Sequence, residues 1–215
     1  FSKRRKGEVM FSAIRVPNVN AVDPMQLSAA EAEARRQALW MAQVLREEVP
    51  GFADATIIDL GTHLGIRETR RIRGAYVLTG EELLTGRRFE DGIAQGTYPV
   101  DVHSATGGGI IFHHLNGRKH EIDGQGNSSR GFWTGDGKPR ATQFWQVPYR
   151  CLFSPLCSNL LVAGRPISVD ASAFGATRVM VNCMQFGQAA GVAAALAAAG
   201  SAPDVRNVGV ASLRE

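Results

Sequence analysis

The stretch Asn159-Leu160-Leu161-Val162-Ala163-Gly164-Arg165 is followed by a loop carrying Ser168, then by Arg178-Val179-Met180, and then by an alanine-rich segment from Asn182 to Ala199. Four apolar residues ending in Ala163-Gly164 read as a short buried strand that stops where backbone must approach something closely. Beyond the loop, Asn182 and Gln185 have N-cap and N3 spacing. Met184, Phe186, Val192 and Leu196 supply the larger apolar side chains and Gly200 the stop, so the pattern predicts a helix. Strand, glycine loop and helix in this order leave unpaired N–H groups and the positive end of a helix dipole facing outward. That is the physical recipe for an anion or dipole site.

The rest of the chain sets limits on what such a site can serve. With 215 residues, 44% hydrophobic and 20% charged, the sequence suits one or two globular domains with a buried core. The net charge of +4 is partly gathered at Lys3-Arg4-Arg5-Lys6 and between Arg67 and Arg73. This excess is mild and lacks interleaved aromatics, so a nucleic-acid partner is not expected. Cys151, Cys157 and Cys183 form no CxxC or Cys/His pair of metal-ligand spacing, so neither a disulfide scaffold nor a metal site is expected. A reducing compartment, the cytoplasm, is the default location. The longest uncharged run lies between Arg178 and Asp204, but its Asn, Gln, Ser and Gly residues fit a buried helix and not a membrane span. The sequence opens on Phe1, not Met, and shows no apolar signal core, from which we expect a piece of a longer polypeptide.

Upstream, Glu8 to Val16 alternates loosely as a strand would, and Ser28-Ala29-Ala30-Glu31 is a capping-box pattern. Ala34, Ala38, Met41 and Leu45 then mark one face of a helix that ends before Pro50-Gly51. Ala55 to Leu60 reads as a strand, Thr79 to Glu82 as a second capping box opening a short helix that Gly86 ends, and Phe89 to Ala94 as one further turn. Tyr98-Pro99-Val100-Asp101-Val102-His103 suits an edge strand, with proline at its start where no ladder N–H is needed. Gly107-Gly108-Gly109 and the stretch from Gly124 to Gly137 separate apolar or alternating pieces, the mark of a small antiparallel sheet.

No glycine cluster has the context of a dinucleotide fingerprint, because Gly107 and Gly109 lead into Ile110-Ile111-Phe112 and no phosphate loop is present. Arg67-Glu68-Thr69-Arg70-Arg71 reads either as a solvated charged face or as a binding edge of arginine forks for a carboxylate or phosphate. His103 beside Asp101 is either a general acid/base or a structural histidine. Cys183, at the predicted helix start, has a lowered pKa if exposed and is otherwise a small buried residue.

Taken together, these residues resemble the FAD-dependent oxidoreductases, distant relatives of the fumarate reductase type of flavoprotein. The C-terminal resemblance rests on Asn159 to Arg165, Arg178-Val179-Met180, Cys183-Met184 and Gly187-Gln188-Ala189-Ala190-Gly191-Val192-Ala193-Ala194. Pro50-Gly51-Phe52, Gly65 to Arg71, Asp91-Gly92-Ile93-Ala94, Tyr98 to His103 and Val147-Pro148-Tyr149-Arg150 look like the same family's substrate-domain landmarks, in the same order. The resemblance implies an α/β flavoprotein whose substrate domain is α+β. It assigns residues 1–150 to most of that substrate domain and 151–215 to a segment returning to the FAD-binding domain.

By position, Ala163, Gly164 and Arg165 would lie beside the ribityl and phosphate portion of FAD, with Ser168 in the following loop. Val179 and Met180 would offer backbone N–H groups to the pyrimidine edge of the flavin, with Arg178 alongside. Many relatives have an acid where this chain has Arg165. A reduced flavin carries negative charge near N1 and O2, so a helix N-terminus with Arg178 would favour the reduced state. Arg67, Arg70 and His103 are the candidates on the substrate side, with arginine clamping an anion and histidine holding a proton. The implied partners are a small-molecule substrate and an N-terminal half, in the same gene or a companion chain, that supplies the fingerprint missing here; a homo-oligomer fits as well. The competing reading is a non-enzymatic module that uses the basic edge 67–73 for an anionic ligand.

Overall fold

The computed structural model describes residues 2–3, 5–103, 108–200 and 203–214. Arg4 of the first basic run and Gly107 of the triple glycine lie outside the described residues. The chain forms two compact units, Phe1–Thr69 and Arg70–Glu215.

In the first unit, β1 (Ser2–Lys3) pairs antiparallel with β2 (Val9–Met10), and α1 (Pro24–Glu48) follows. The predicted strand over Glu8 to Val16 contracts to these two residues of β2. Helix α1 begins before the predicted Ser28 capping box. Asp23 accepts hydrogen bonds from the amides of Met25 and Gln26 at 2.9 and 3.4 Å, and Pro24 occupies the first helical position, where its missing N–H costs nothing. The predicted face of Ala34, Ala38, Met41 and Leu45 is half-buried. The segment after α1 is not the strand predicted at 55–60. It lies along the helix, with Arg46 Nε donating to the Ala55 carbonyl at 2.8 Å and Leu64 N donating to Glu31 Oε1 at 2.5 Å. Side chains of α1 thus meet the Ala55 carbonyl and the Leu64 amide, and 55–60 has no ladder among the described residues.

The second unit is α+β. Strands β4 (Val100–His103), β5 (Ile110–His113), β6 (Arg118–Ile122) and β7 (Ser128–Phe132) form an antiparallel meander in that order. A second antiparallel pair joins β3 (Gly92–Gly96) to β8 (Trp145–Pro148). The predicted turn over Phe89 to Ala94 is present in its first half, where Gly92 N donates to the Phe89 carbonyl at 3.1 Å, and from Gly92 on it becomes β3, because β8 supplies a ladder partner 50-odd residues away that no local pattern encodes. Around the sheets lie α2 (Gly80–Thr85), α3 (Ala171–Thr177), α4 (Met180–Ala199) and α5 (Val210–Arg214). Helix α2 has the predicted caps: the Thr79 hydroxyl and Glu82 carboxylate satisfy each other's backbone amides, and Gly86 closes the helix in the left-handed region at φ +70°.

Leu78, Leu83, Val100, Trp145, Val147, Ile167, Phe174 and Phe186 make one core in this unit. It is fastened by a long-range seam between residues 72–78 and 150–170. Ile72 N donates to the Pro166 carbonyl, Tyr76 N to that of Arg150 and Leu78 N to that of Ser168, while Asp170 N returns to that of Leu78. Helix α4 is held against β3 by the Gln185 side chain, whose amide takes Gln95 N at 3.0 Å and gives to the Gln95 carbonyl at 2.9 Å, as a neighbouring strand would. Among the described residues no single helix is long and apolar enough to cross a membrane.

Candidate functional site

The junction of α3 and α4 is built from side chains that look inward, so that backbone looks outward. Helix α3 ends at Thr177 with Arg178 as its C-cap, and α4 leaves it at an angle of 93°. The last carbonyls of α3 are met from α4: Asn182 Nδ2 donates to Ala176 at 3.0 Å, and Cys183 Sγ lies 3.5 Å from the Arg178 oxygen. Asn182 is thus not the predicted N-cap but a buried brace within the first turn of the helix. The cap is Val179, whose isopropyl side chain has no acceptor for the first amides. No acidic residue stands in the first turn of α4, Met180 is 84% exposed, and the amides of Val179, Met180 and Val181 have no hydrogen-bond partner among the described residues. A 20-residue helix therefore presents unpaired donors and the positive end of its dipole at the surface.

Arg178 turns away from these amides. Its Nη2 donates to Asp101 Oδ1 at 2.7 Å, and both side chains are nearly buried. The same carboxylate lies 3.3 Å from His103 Nε2 and accepts from the Tyr98 hydroxyl at 3.3 Å. Asp101 thereby connects the edge strand β4 to the start of α4. The contact is close at backbone level too: a Cβ on Gly175 would sit 2.3 Å from the Asp101 carbonyl oxygen, so only glycine lets α3 lie on β4 here. Phe174 is buried below, with the guanidinium of Arg71 5.2 Å and that of Arg178 6.0 Å from its ring centre.

The other predicted residues take several positions. Ala163 and Gly164 are half-buried, and Gly164 has φ +84° with open space where a Cβ would project, the nearest atom being Pro166 Cδ at 4.0 Å. The segment Leu160 to Ala163 is not the predicted strand: it has no ladder among the described residues, and Leu160 is half exposed. Arg165 is exposed. Ser168 is buried, its hydroxyl accepting from Gly74 N at 3.0 Å, so it braces the seam from inside. Arg67 is exposed in the first unit, while Arg70 is exposed at the start of the second and is not brought to Asp101.

The stretch 67–71 is not a strand, and the guanidinium of Arg71 within it reaches Phe174. The hub role of Asp101 did have a signal, since residues two apart on a strand share a face with each other. Burial pushes the Cys183 thiol up, not down. Cys151, wholly buried, is pushed up to about 12 by the same cause.

A family model described as FAD dependent oxidoreductase matches residues 2–215. Searches among curated proteins and among solved structures return no match. FAD is the cofactor of that family, and the donor set suits one: uncapped helix amides at Val179 to Val181 fit an electron-rich heterocycle edge, and the left-handed, unobstructed turn at Gly164 fits close approach of a ligand to backbone. With the matched region running nearly end to end, the chain belongs to the FAD-dependent oxidoreductase family.

Proposed function

We propose that the chain is the C-terminal portion of a flavoenzyme that moves hydride between a small organic substrate and FAD. In this reading residues 1–150 contribute most of the substrate domain and 151–215 return to the FAD-binding domain. The observation that carries the proposal is the exposed, uncapped N-terminus of α4 standing directly after Arg178, which is tied through Asp101 to His103. When bound, FAD supplies the two-electron chemistry, and everything else is positioning and electrostatics. The amides of Val179 and Met180 orient the pyrimidine edge and favour negative charge there. Arg178 is neutralised by Asp101, so the backbone carries this electrostatic work and Arg178 fixes where the helix starts. Asp101 holds the His103 ring by its Nε2 edge, and His103 gives or takes the substrate proton. Ala163, Gly164 and Arg165 remain the proposed ribityl side, and Ser168 supports them from within.

The outer face of α4 supports a missing N-terminal half. Met184 is 73% exposed, Val192 and Leu196 are partly exposed, and nothing lies within 4 Å of where a side chain would project from Gly187 or Gly191. A second polypeptide segment carrying the nucleotide fingerprint would cover it. Three unpaired thiols support a reducing, cytoplasmic setting.

The test is Met180→Pro in the full-length protein. Proline at the first helical position keeps the helix but deletes one amide donor, and Val179 already has the extended backbone that precedes proline, at ψ 149°. Loss of an amide bond to a charge-bearing acceptor, about 1.5–3 kcal/mol, lowers flavin affinity or reduction potential measurably. Unchanged FAD absorbance titration and unchanged potential in the variant would reject the site.

A further inference from the structure

The meander has two chemically different faces. Strand register sets Asp101, Phe112, His120 and Arg130 directly opposite one another across β4 to β7, and pairs Arg118 with Phe132. Side chains opposite each other in a ladder share a face, so the face bearing Asp101 and His103 continues across the sheet into His120, Arg118 and Arg130. Ring contacts agree: Phe112 stacks on His120 at 6.1 Å and lies 6.4 Å from His114, while His113 turns to the other face and meets Trp133 at 6.3 Å.

On the first of these faces lies a concavity of about 520 Å³, lined by His114, Arg118, His120, Arg130 and Phe132 among others, with no acidic residue in its wall. The guanidinium groups of Arg118 and Arg130 have no hydrogen bond or ion pair among the described residues, unlike Arg140, Arg150, Arg178 and Arg206, which all hold carboxylates. The nearby acids are engaged elsewhere. Glu121 pairs with Lys119 at 2.6 Å, and Asp123 is bonded within its own turn. Phe132 is 43% exposed at the rim. Two unneutralised arginines beside two imidazoles and a bare aromatic ring match an anionic group carried on an apolar body.

We propose that this concavity seats the anionic end of the substrate, a carboxylate or phosphate on an aromatic or aliphatic chain, whose reacting carbon lies toward His103. The inference rests on the redox reading above and narrows it. Strands lie about 4.8 Å apart, so β6 is roughly 10 Å from β4. A substrate that spans this gap is elongated, with its charge well removed from the reacting carbon, and differs from a short dicarboxylate.

The experiment titrates the full-length, flavin-loaded protein with 4-phenylbutyrate, its neutral counterpart 4-phenyl-1-butanol, and inorganic phosphate. Calorimetry and the ring resonances of His114 and His120 follow binding. Expected are shifts of both rings with 4-phenylbutyrate, about tenfold weaker binding of the alcohol and of phosphate, and a tenfold or greater loss in Arg118→Gln/Arg130→Gln. Arg118→Lys/Arg130→Lys should retain part of the affinity, since it keeps charge without the fork. Equal binding by the double glutamine variant, or by the alcohol, would overturn the site. Phosphate binding as tightly as 4-phenylbutyrate would reduce it to a charged patch. The flavin spectrum is recorded in the same samples: ring shifts in a protein that takes up no flavin would overturn the redox reading and leave the concavity as an anion site only, and normal flavin uptake without ring shifts would overturn this inference alone.

Discussion

Asp101 shows how much can rest on one carboxylate. It receives Arg178, His103 and Tyr98 while its backbone touches Gly175, and it is itself buried. Asp101→Ala would leave the nearly buried Arg178 without its counter-charge, a loss of about 3–5 kcal/mol, whereas Asp101→Asn keeps an acceptor and should lose clearly less. Urea midpoints of the two variants check this, and equal midpoints would show that the pair contributes little. The spacing of Asp101 and His103 was legible because strand alternation places such residues together. Arg178 as their partner was not, since a contact across 77 positions has no local trace. Ser168 misleads in the opposite direction: a serine in a glycine-bearing loop suggests a ligand, but its hydroxyl is spent on Gly74.

At the level of elements, one carboxylate serves two helices. Asp170 caps α3 by accepting from Ala173 N at 2.6 Å, and it also accepts from Gly80 N, at the start of α2, at 3.1 Å. Asp170→Ala should therefore destabilise the fold by about 1–3 kcal/mol, more than the loss of an ordinary cap. Thermal unfolding checks it, and a shift no larger than that of an exposed surface substitution would contradict the shared cap. Helix α2 was readable from sequence because both its caps are local. Helix α4 was readable in extent, but its start was displaced from Asn182 to Val179, since the Asn182 side chain serves the preceding helix and not its own. Strand β3 was missed for a related reason, its partner β8 being distant.

For the molecule as a whole, β5 and the residue after it set a pH dependence. Burial lowers the pKa of His113, with Lys119 adding to the effect, and burial lowers that of His114, with His120 and Arg118 adding to it. The folded state thus prefers both rings neutral, whereas the unfolded chain takes up protons near the ordinary value of 6.5. Stability should be flat above about pH 6.5 and fall as pH drops below it, before the carboxylates titrate. Unfolding midpoints between pH 5 and 7.5 test this, and a His113→Gln/His114→Gln variant should flatten the curve; a wild-type curve already flat over that range would contradict it. The seam between residues 72–78 and 150–170 has a further consequence for biosynthesis. As the nascent polypeptide leaves the ribosome, the early strip must wait, its Leu78 still uncovered, until the late strip has been translated. A message truncated before Asp170 would yield a product unable to close its own interior, one that chaperones would retain or proteases remove.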